Sequence, residues 1–382
     1  MEKRKILNKD ISLLGFGTLR LPMKKSPAGP LDFDEEASIK LFDYAMANGI
    51  NYFDTAYTYG NAEEISGRAL SNYPRESYNI ATKCPPWKVK NAGEFEQIFT
   101  GQLERCKTDY FDFYLVHNFA QEMKRALNND EYFENFEKIG FYDMLKKKKD
   151  EGKIRHIGFS FHGTLSLLQK IVDKYEWDFA QIQLNYIDWT ATNAKSQYEL
   201  LTKHNIPVVI MNPLRGGVMA SLSEESAKLL KDADPNASLA SWGLRFAASL
   251  PNVMTVLSGP NLIEHLQENV ATMNNFRPVS DKEKELLYEC AVLFNKSGLI
   301  PCTGCGYCLP CHRGVDIPRI ISLYNYVRLT NSRIPFDNAY ASLEPDQKVS
   351  RCILCGQCMQ RCPQAIYLPK YMLEIDNFVN AM

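Results

Sequence analysis

Short apolar runs alternate with longer amphipathic stretches along the chain, from about residue 13 to residue 273. Eight of the runs have the length and composition of β-strands: Leu13–Phe16, Tyr52–Asp54, Tyr78–Thr82, Phe111–Val116, Ile154–Phe159, Phe179–Leu184, Pro207–Asn212 and Val253–Leu257. The stretches between them have helical length, for example Asp34–Asn48, Gly93–Cys106, Thr164–Tyr175 and Ser238–Ser249. Because helical connections make consecutive strands parallel, eight such units predict an α/β fold, a (β/α)8 TIM barrel.

The segments outside this repeat carry their own predictions. Lys3–Ser12, with Asn8–Asp10 as its turn, predicts a hairpin that plugs the barrel floor. Two connections after strands, Phe119–Gly140 and Leu214–Pro235, are longer than the others. Since loops after strands lie at the C-terminal face, where barrel enzymes keep their chemistry, each is interpreted as a lid, a docking surface or a plain insertion.

The pattern changes near residue 280. Asp281–Lys296 and Asp316–Thr330 have helical periodicity, and a cysteine-rich run lies between them. The chain therefore divides into a predicted barrel domain, residues 1–280, and a small, mainly α-helical domain, residues 281–382. The fifty-residue spacing between the starts of its two cysteine runs resembles α-helical ferredoxin modules.

Eight of the eleven cysteines lie in the two runs of this second domain: Cys302, Cys305, Cys308 and Cys311, then Cys352, Cys355, Cys358 and Cys362. The second run, which precedes Pro363, has the C-x2-C-x2-C-x3-C-P spacing of bacterial ferredoxins, whose thiolates bind [4Fe–4S] clusters. Eight thiolates predict two clusters. Two structural zinc sites are the alternative, but zinc sites usually join two separated C-x2-C pairs.

The resemblance to two-cluster ferredoxins also implies how the ligands are shared. In those proteins the fourth cysteine of each run binds the other cluster. By that resemblance Cys302, Cys305 and Cys308 would join Cys362, and Cys352, Cys355 and Cys358 would join Cys311. The first run ends in C-x2-C instead of C-x3-C, and His312 follows it where a proline often stands.

Chemically active side chains stand at the ends of three successive predicted strands: Asp54, Lys83 and His117, with Tyr59 in the loop after Asp54. Here the sequence resembles the aldo-keto reductases, whose catalytic tetrad matches Asp54, Tyr59, Lys83 and His117. Gly15–Thr18 and Thr108–Asp112 are further matches, and the resemblance covers about residues 5–275. It implies an NAD(P)H-dependent oxidoreductase that reduces a carbonyl or oxidises an alcohol.

Such chemistry explains why these residue types are needed together. Hydride delivery leaves charge on the carbonyl oxygen, so a proton donor must stand within hydrogen-bond reach. A phenol with an ordinary pKa of about 10 is a weak acid at neutral pH. A lysine beside Tyr59 would favour the phenolate, Asp54 would orient that lysine, and His117 would orient the substrate oxygen.

The resemblance also implies a cofactor site. Its expected contacts are Thr18, Ser160, Gln181, Leu214, Ser258, Gly259, Glu268 and Asn269, with Ser160 and Gln181 at the nicotinamide carboxamide. Phosphate would bind after the eighth strand, at a helix N-terminus. Gly259 and His265 stand where the family usually places basic residues against the 2′-phosphate, Phe161 replaces a frequent Asn, and residues 212–217 lack the family's stacking aromatic. NAD and NADP both remain open, and the same phosphate site could hold a flavin.

Charge and hydropathy limit the classes of partner that the sequence predicts. Lys and Arg number 44 against 45 Asp and Glu, so a nucleic-acid partner is not expected. An apolar stretch of membrane-spanning length and a secretory signal are both missing, which predicts a cytoplasmic protein without a membrane partner. The expected partners are a small-molecule carbonyl substrate and a redox protein. Two alternatives remain: an electron-transfer protein linking a redox partner to a barrel-bound flavin or substrate, and a barrel whose clusters are purely structural.

Overall fold

The computed structural model describes residues 1–24, 32–119, 129–330, 332–362 and 364–381. Its strands are β1 Lys3–Ile6, β2 Lys9–Ser12, β3 Leu14–Gly17, β4 Tyr52–Asp54, β5 Asn79–Cys84, β6 Phe111–Val116, β7 Ile154–Phe161, β8 Phe179–Gln183, β9 Val208–Met211 and β10 Val253–Ser258. The eight predicted barrel strands are confirmed as β3 to β10, with ends that differ by at most two residues.

The helices in the barrel half of the chain are α1 Glu35–Ala47, α2 Ala62–Leu70, α3 Ala92–Arg105, α4 Asn129–Lys138, α5 Phe141–Asp150, α6 Leu165–Lys174, α7 Tyr186–Ala191, α8 Ala194–Lys203, α9 Glu224–Ala233, α10 Leu239–Ala248 and α11 Ile263–Asn274. They are followed by α12 Asp281–Lys296, α13 Ile317–Thr330, α14 Ile334–Ala341, α15 Gln357–Arg361 and α16 Leu368–Asn380. None of the helices in the described ranges is long and apolar enough to cross a membrane.

Strands β3 to β10 form a closed parallel barrel in chain order, and β10 pairs with β3 to complete it. Barrel strands are covered on both faces, which explains why they are continuous apolar runs in the sequence. Phe111–Val116 is buried at every position, as is Val253–Ser258. This closure brings the C-terminal ends of all eight strands to one rim, so the predicted (β/α)8 barrel is confirmed.

Side-chain caps explain why the predicted helices begin where they do. The carboxylate of Asp34 accepts a hydrogen bond from the N–H of Ala37, 2.9 Å away, at the start of α1. Thr164 and Ser238 cap α6 and α10 in the same way. These residues satisfy backbone N–H groups that have no partner within the helix. The predicted starts of these three helices therefore fall on the cap, one residue before the first helical residue, whereas the predicted start Gly93 lies one residue inside α3.

Strands β1 and β2 form the predicted hairpin at the barrel floor. Its turn differs from the expected Asn8–Asp10. Ile6 pairs with Lys9, so the two turn residues are Leu7 and Asn8, both with positive φ (53° and 60°). A two-residue turn of this hand matches the right-handed twist of the strands. Ile6 and Leu7 pack against the lower core of the barrel.

The chain after residue 280 contributes to two separate hydrophobic clusters. Helix α12 lies against the barrel, because its buried Leu287, Cys290 and Phe294 belong to the barrel's hydrophobic cluster. The described residues from 300 to 381, named the C-terminal module from here on, form helices and turns around a second cluster that includes Ile320 and Met372. The domain boundary near residue 280 stays a prediction.

The two long connections have different outcomes. Of Phe119–Gly140, residues 120–128 lie outside the described residues, and α4 occupies much of the remainder. Leu214–Pro235 contains a 3-10 turn, Arg215–Ala220, and then α9. Its Gly216 lies directly against the carbonyl of Thr303 in the C-terminal module, 1.9 Å from where a Cβ would be. This connection is a docking surface for the module.

Candidate active site and cysteine centres

The strand ladder places the four tetrad residues around one point. Asp54 is the last residue of β4, Lys83 lies near the end of β5, and His117 directly follows β6. Pairing of Asp54 with Ala81, and of Lys83 with Leu115, sets these strand ends side by side. Tyr59 lies in the loop between β4 and α2, which places its side chain beside the other three. All four side chains are buried.

Lys83 and Asp54 form a buried ion pair. The Lys83 Nζ lies 2.6 Å from Asp54 Oδ1 and donates a second hydrogen bond to the carbonyl of Thr55 at 2.8 Å. The Lys83 side chain is 0% exposed. Burial lowers the pKa of Lys83 and raises the pKa of Asp54, in each case because it disfavours the charged form. The short contact between the two groups opposes both shifts and fixes the lysine in the site.

Tyr59 and His117 complete the site. The Lys83 Nζ lies 4.9 Å from the centre of the Tyr59 ring, and the Tyr59 and His117 rings meet edge to face with centres 5.7 Å apart. Burial, followed by the charge of Asp54, raises the pKa of Tyr59 above its ordinary value. Burial, followed by the charge of Lys83, lowers the pKa of His117 well below its ordinary value. The imidazole is therefore neutral at pH 7 and can act as a hydrogen-bonding group.

A cavity of about 70 Å³ opens beside these groups. Three of the tetrad residues line it, Asp54, Tyr59 and His117, together with three predicted cofactor contacts, Ser160, Gln181 and Gly259. Sequence reasoning did not place Arg20, Thr303, Cys305 or Tyr307 here, and all four are among the other residues that line it. The last three belong to the first cysteine run, so the C-terminal module forms part of the cavity wall. The one sequence feature that could have indicated this contact is Tyr307 itself, a tyrosine between two cysteines of the first run.

A second cavity of about 400 Å³ lies along the ends of β9 and β10. Gly259 lines it as well, together with four of the five remaining predicted contacts: Leu214, Ser258, Glu268 and Asn269. The Asn269 side chain donates to the Ser258 hydroxyl at 2.8 Å, which joins α11 to the end of β10. Thr18 lines neither cavity; its hydroxyl instead donates to the carbonyl of Asp54 at 3.0 Å.

The eight cysteines of the two runs fall into two spatial sets. Cys302 and Cys308 have Cys305 and Cys362 as electrostatic neighbours, and Cys308, which lies nearest the other set, also has Cys358. Cys352 and Cys358 have Cys311 and Cys355 as theirs. The fourth cysteine of each run thus lies with the other run, which is the sharing that the resemblance to ferredoxins implies.

The donor chemistry of these sets suits iron–sulfur clusters. Four thiols with few competing oxygen ligands are the usual set for a cubane. Among the described residues no three His, Cys, Asp or Glu side chains converge closely enough to hold one metal ion. The second set instead lines one cavity, together with Cys308 and the apolar Ile353 and Leu354. In the first set, the N–H of Gly304 points at Cys302 Sγ, 3.4 Å away. Hydrogen bonds of this kind stabilise thiolate ligands.

Comparison with known proteins assigns both parts of the chain. The family model "Aldo/keto reductase family" matches residues 13–291, and the model "4Fe-4S dicluster domain" matches residues 301–367. The uncharacterized oxidoreductase YqkF of Bacillus subtilis (strain 168) is 28% identical over 75% of this chain and 95% of its own length. The NADH-specific methylglyoxal reductase of Escherichia coli (strain K12) is 24% identical over 76% of this chain and 98% of its own.

Solved structures agree on the fold. An aldo-keto reductase from Bacillus halodurans in its holo form has a TM-score of 0.61 at 21% identity, over 76% of this chain and 96% of its own. An aldo/keto reductase from Klebsiella pneumoniae, solved in complex with NADP and acetate, has a TM-score of 0.59 at 18% identity, over 77% and 95% of the two chains.

Proposed function

Since the chain belongs to the aldo/keto reductase family and carries a 4Fe-4S dicluster domain, we propose that it reduces a small carbonyl compound, or oxidises the corresponding alcohol, with a nicotinamide cofactor. The observation that carries this proposal is the convergence of Tyr59, His117 and the Lys83–Asp54 pair on one cavity that Ser160 and Gln181 also line. Each of these groups has a role in polarising and protonating an oxygen.

The roles follow from the positions. Tyr59 donates its proton to the carbonyl oxygen as charge develops there. Lys83, held against Asp54 at 2.6 Å, stabilises the phenolate that remains. His117, neutral because of its burial, donates a hydrogen bond that orients the same oxygen. The low dielectric of this buried site strengthens each of these interactions.

The proposed cofactor lies across both cavities. Ser160 and Gln181 would hold the nicotinamide carboxamide beside Tyr59, and Ser258, Gly259 and Asn269 would line the phosphate end. The bound nicotinamide supplies hydride. Among the described residues that line the larger cavity, Arg20 and His265 are the basic ones, and Arg20 is already bonded to the carbonyl of Thr303 at 2.8 Å. We therefore expect NADH to be preferred over NADPH.

The two cysteine sets would hold one [4Fe–4S] cluster each, and such a cluster exchanges single electrons. Electron transfer between the module and the barrel is the second function we propose. One observation favours it, because Cys305 of the first set lies in the wall of the cavity that contains Tyr59. NADH gives up two electrons and a proton, so the two clusters, at one electron each, or a flavin in the same site must take the electron pair. A reduced-cluster signal in electron paramagnetic resonance after NADH is added would support this second function, separately from carbonyl turnover.

The test of the first function is Tyr59→Phe, with Tyr57→Phe as a matched control two residues away. Tyr57 contacts the cations of Lys88 and Arg105 and lines neither cavity. In anaerobic assays with NADH and small aldehydes, Tyr59→Phe should lower kcat by about 10²–10⁴-fold, which is the usual contribution of a positioned proton donor. Tyr57→Phe should change it little. Equal turnover in the Tyr59→Phe protein would remove Tyr59 from the mechanism.

A further inference from the structure

A tyrosine of the dicluster domain reaches the catalytic tyrosine of the barrel. Tyr307 lies between the ligands Cys305 and Cys308 and lines the catalytic cavity. Its side chain is hydrogen-bonded to that of Tyr59. A hydroxyl from a distant part of the chain is thus already present next to the group that must meet the substrate.

The loop that carries Tyr307 is fixed to the rim of the barrel. The carbonyl of Thr303 accepts a hydrogen bond from Arg20 at 2.8 Å. The same carbonyl lies so close to Gly216 that a Cβ there would stand 1.9 Å from it. Both contacts hold the Thr303 carbonyl, four residues before Tyr307, at the barrel rim. They bring the loop to the cavity but do not fix the Tyr307 ring, which can turn about its own side-chain bonds.

The cavity is too small to hold a substrate beside the Tyr307 side chain. The cavity measures about 70 Å³, whereas ligand pockets commonly measure roughly 300–1,000 Å³. A carbonyl oxygen has to come within about 3 Å of the Tyr59 oxygen to receive its proton. The Tyr307 side chain is already hydrogen-bonded to that of Tyr59 and lines the same cavity, so substrate and Tyr307 compete for one position.

We propose that Tyr307 is a specificity-determining residue of the carbonyl site: its hydroxyl occupies the substrate oxygen's place at Tyr59, and a substrate binds by displacing it. The inference rests on the proposed carbonyl reduction. Tyr307 selects small carbonyl compounds, because its ring still forms the outer wall of the cavity after the hydroxyl has been displaced. The oxygen of Tyr307 takes no part in the bond changes, since the substrate receives its hydride from the nicotinamide and its proton from Tyr59.

The test compares Tyr307→Phe with wild type in the holoenzyme, with clusters loaded and NAD⁺ bound. Acetate is the first probe, because a small carboxylate offers Tyr59 an oxygen without turnover, and calorimetry gives its Kd. Removing the competing hydroxyl should lower the Kd for acetate by about 3- to 10-fold, the worth of one net hydrogen bond. The KM for a small aldehyde should fall by a similar factor while kcat changes less than about twofold.

Tyr326→Phe is the matched control, because Tyr326 is an exposed tyrosine of the same domain. It should leave both constants unchanged, and the resonance spectrum of the reduced clusters should be the same in both variants. A fall in kcat with unchanged KM and Kd would overturn the proposal, since Tyr307 would then be assisting Tyr59. Unchanged Kd and KM would overturn it equally.

A second variant tests the same proposal if the Tyr307→Phe substitution disturbs the cluster. Tyr307→Ala opens the wall, so benzoate and benzaldehyde should gain affinity relative to acetate and acetaldehyde by about 10-fold or more. The same size preference in Tyr307→Ala and wild type would contradict the proposal. Because acetate and benzoate binding need no turnover, these results stay interpretable even if Tyr59→Phe shows that the carbonyl chemistry lies elsewhere.

Discussion

The tetrad and the cysteine sets are built on different kinds of backbone. Asp54 and Lys83 project from strands held in a closed ladder, and His117 follows the next strand directly. Of the eight cysteines in the two runs, only Cys358 lies in a helix, and the others lie in turns or irregular chain. The barrel can therefore set the geometry of these side chains before any cofactor binds, whereas we expect the module to need its proposed clusters to fix the cysteine loops.

Removing the clusters is the strongest way to separate the two regions. Chelation of iron from the anaerobic protein should unfold or loosen residues 300–381, because their core is small and their ligand loops have little backbone pairing. The barrel strands should stay protected. Hydrogen exchange with mass spectrometry would resolve the two parts, and iron reloading is the control. Loss of protection throughout β3 to β10 would show that the barrel also depends on the clusters.

The buried ion pair is the place where the barrel itself is vulnerable. Lys83→Met leaves Asp54 as an unpaired buried carboxylate, which should destabilise the protein by about 3–5 kcal/mol. Lys40→Met removes the highly exposed pair with Glu36, and should change the free energy of unfolding far less, because solvent screens that pair. Denaturant unfolding measures both. The double variant Lys83→Met/Asp54→Asn should recover much of the loss; no recovery would mean that the charge on Asp54 is not the cause.

The sequence predicted features that depend on residues close together in the chain or on a pattern that repeats along it. The eight strands and both cysteine runs are of this kind, because apolar periodicity and ligand spacing are local properties. The tetrad came from the resemblance to the aldo-keto reductases, and its catalytic role stays a prediction. Arg20, Thr303 and Tyr307 were missed. Arg20 and Thr303 are bonded although 283 positions separate them. Such a contact depends on how the C-terminal module packs on the barrel rim, and neither part's own pattern specifies that packing.

The contact at Gly216 is where the two regions can be forced apart without replacing a cysteine of the two runs or a tetrad residue. Gly216→Ala and Gly217→Ala make a matched pair, because both glycines have positive φ (73° and 94°) and both substitutions carry similar backbone strain. Only at Gly216 would the new Cβ meet the Thr303 carbonyl; nothing lies within 4 Å at Gly217.

We expect Gly216→Ala to cost about 1–3 kcal/mol more than Gly217→Ala, which is the usual penalty for overpacking. Because the first cysteine run would be pushed from the rim, the cavity beside Tyr59 should open, and protection of residues 300–316 should fall in hydrogen exchange. Equal behaviour of the two variants would show that the module tolerates displacement at this point and that Gly216 does not set its position.

The smallest expected effect belongs to the reciprocal amide pair between the regions. Gln183 at the end of β8 donates to Gln364 at 2.9 Å and accepts from it at 2.8 Å. Gln183 also donates to Asp188 at 2.7 Å, so it keeps a partner when Gln364 is lost. Gln364→Ala should therefore cost only about 1 kcal/mol, and the exposed Gln360→Ala should cost nothing measurable. A double-mutant cycle with Gln183→Ala isolates the pair. A coupling near zero would mean that the tight contacts at Gly216 and Arg20, and not this amide pair, hold the module on the rim.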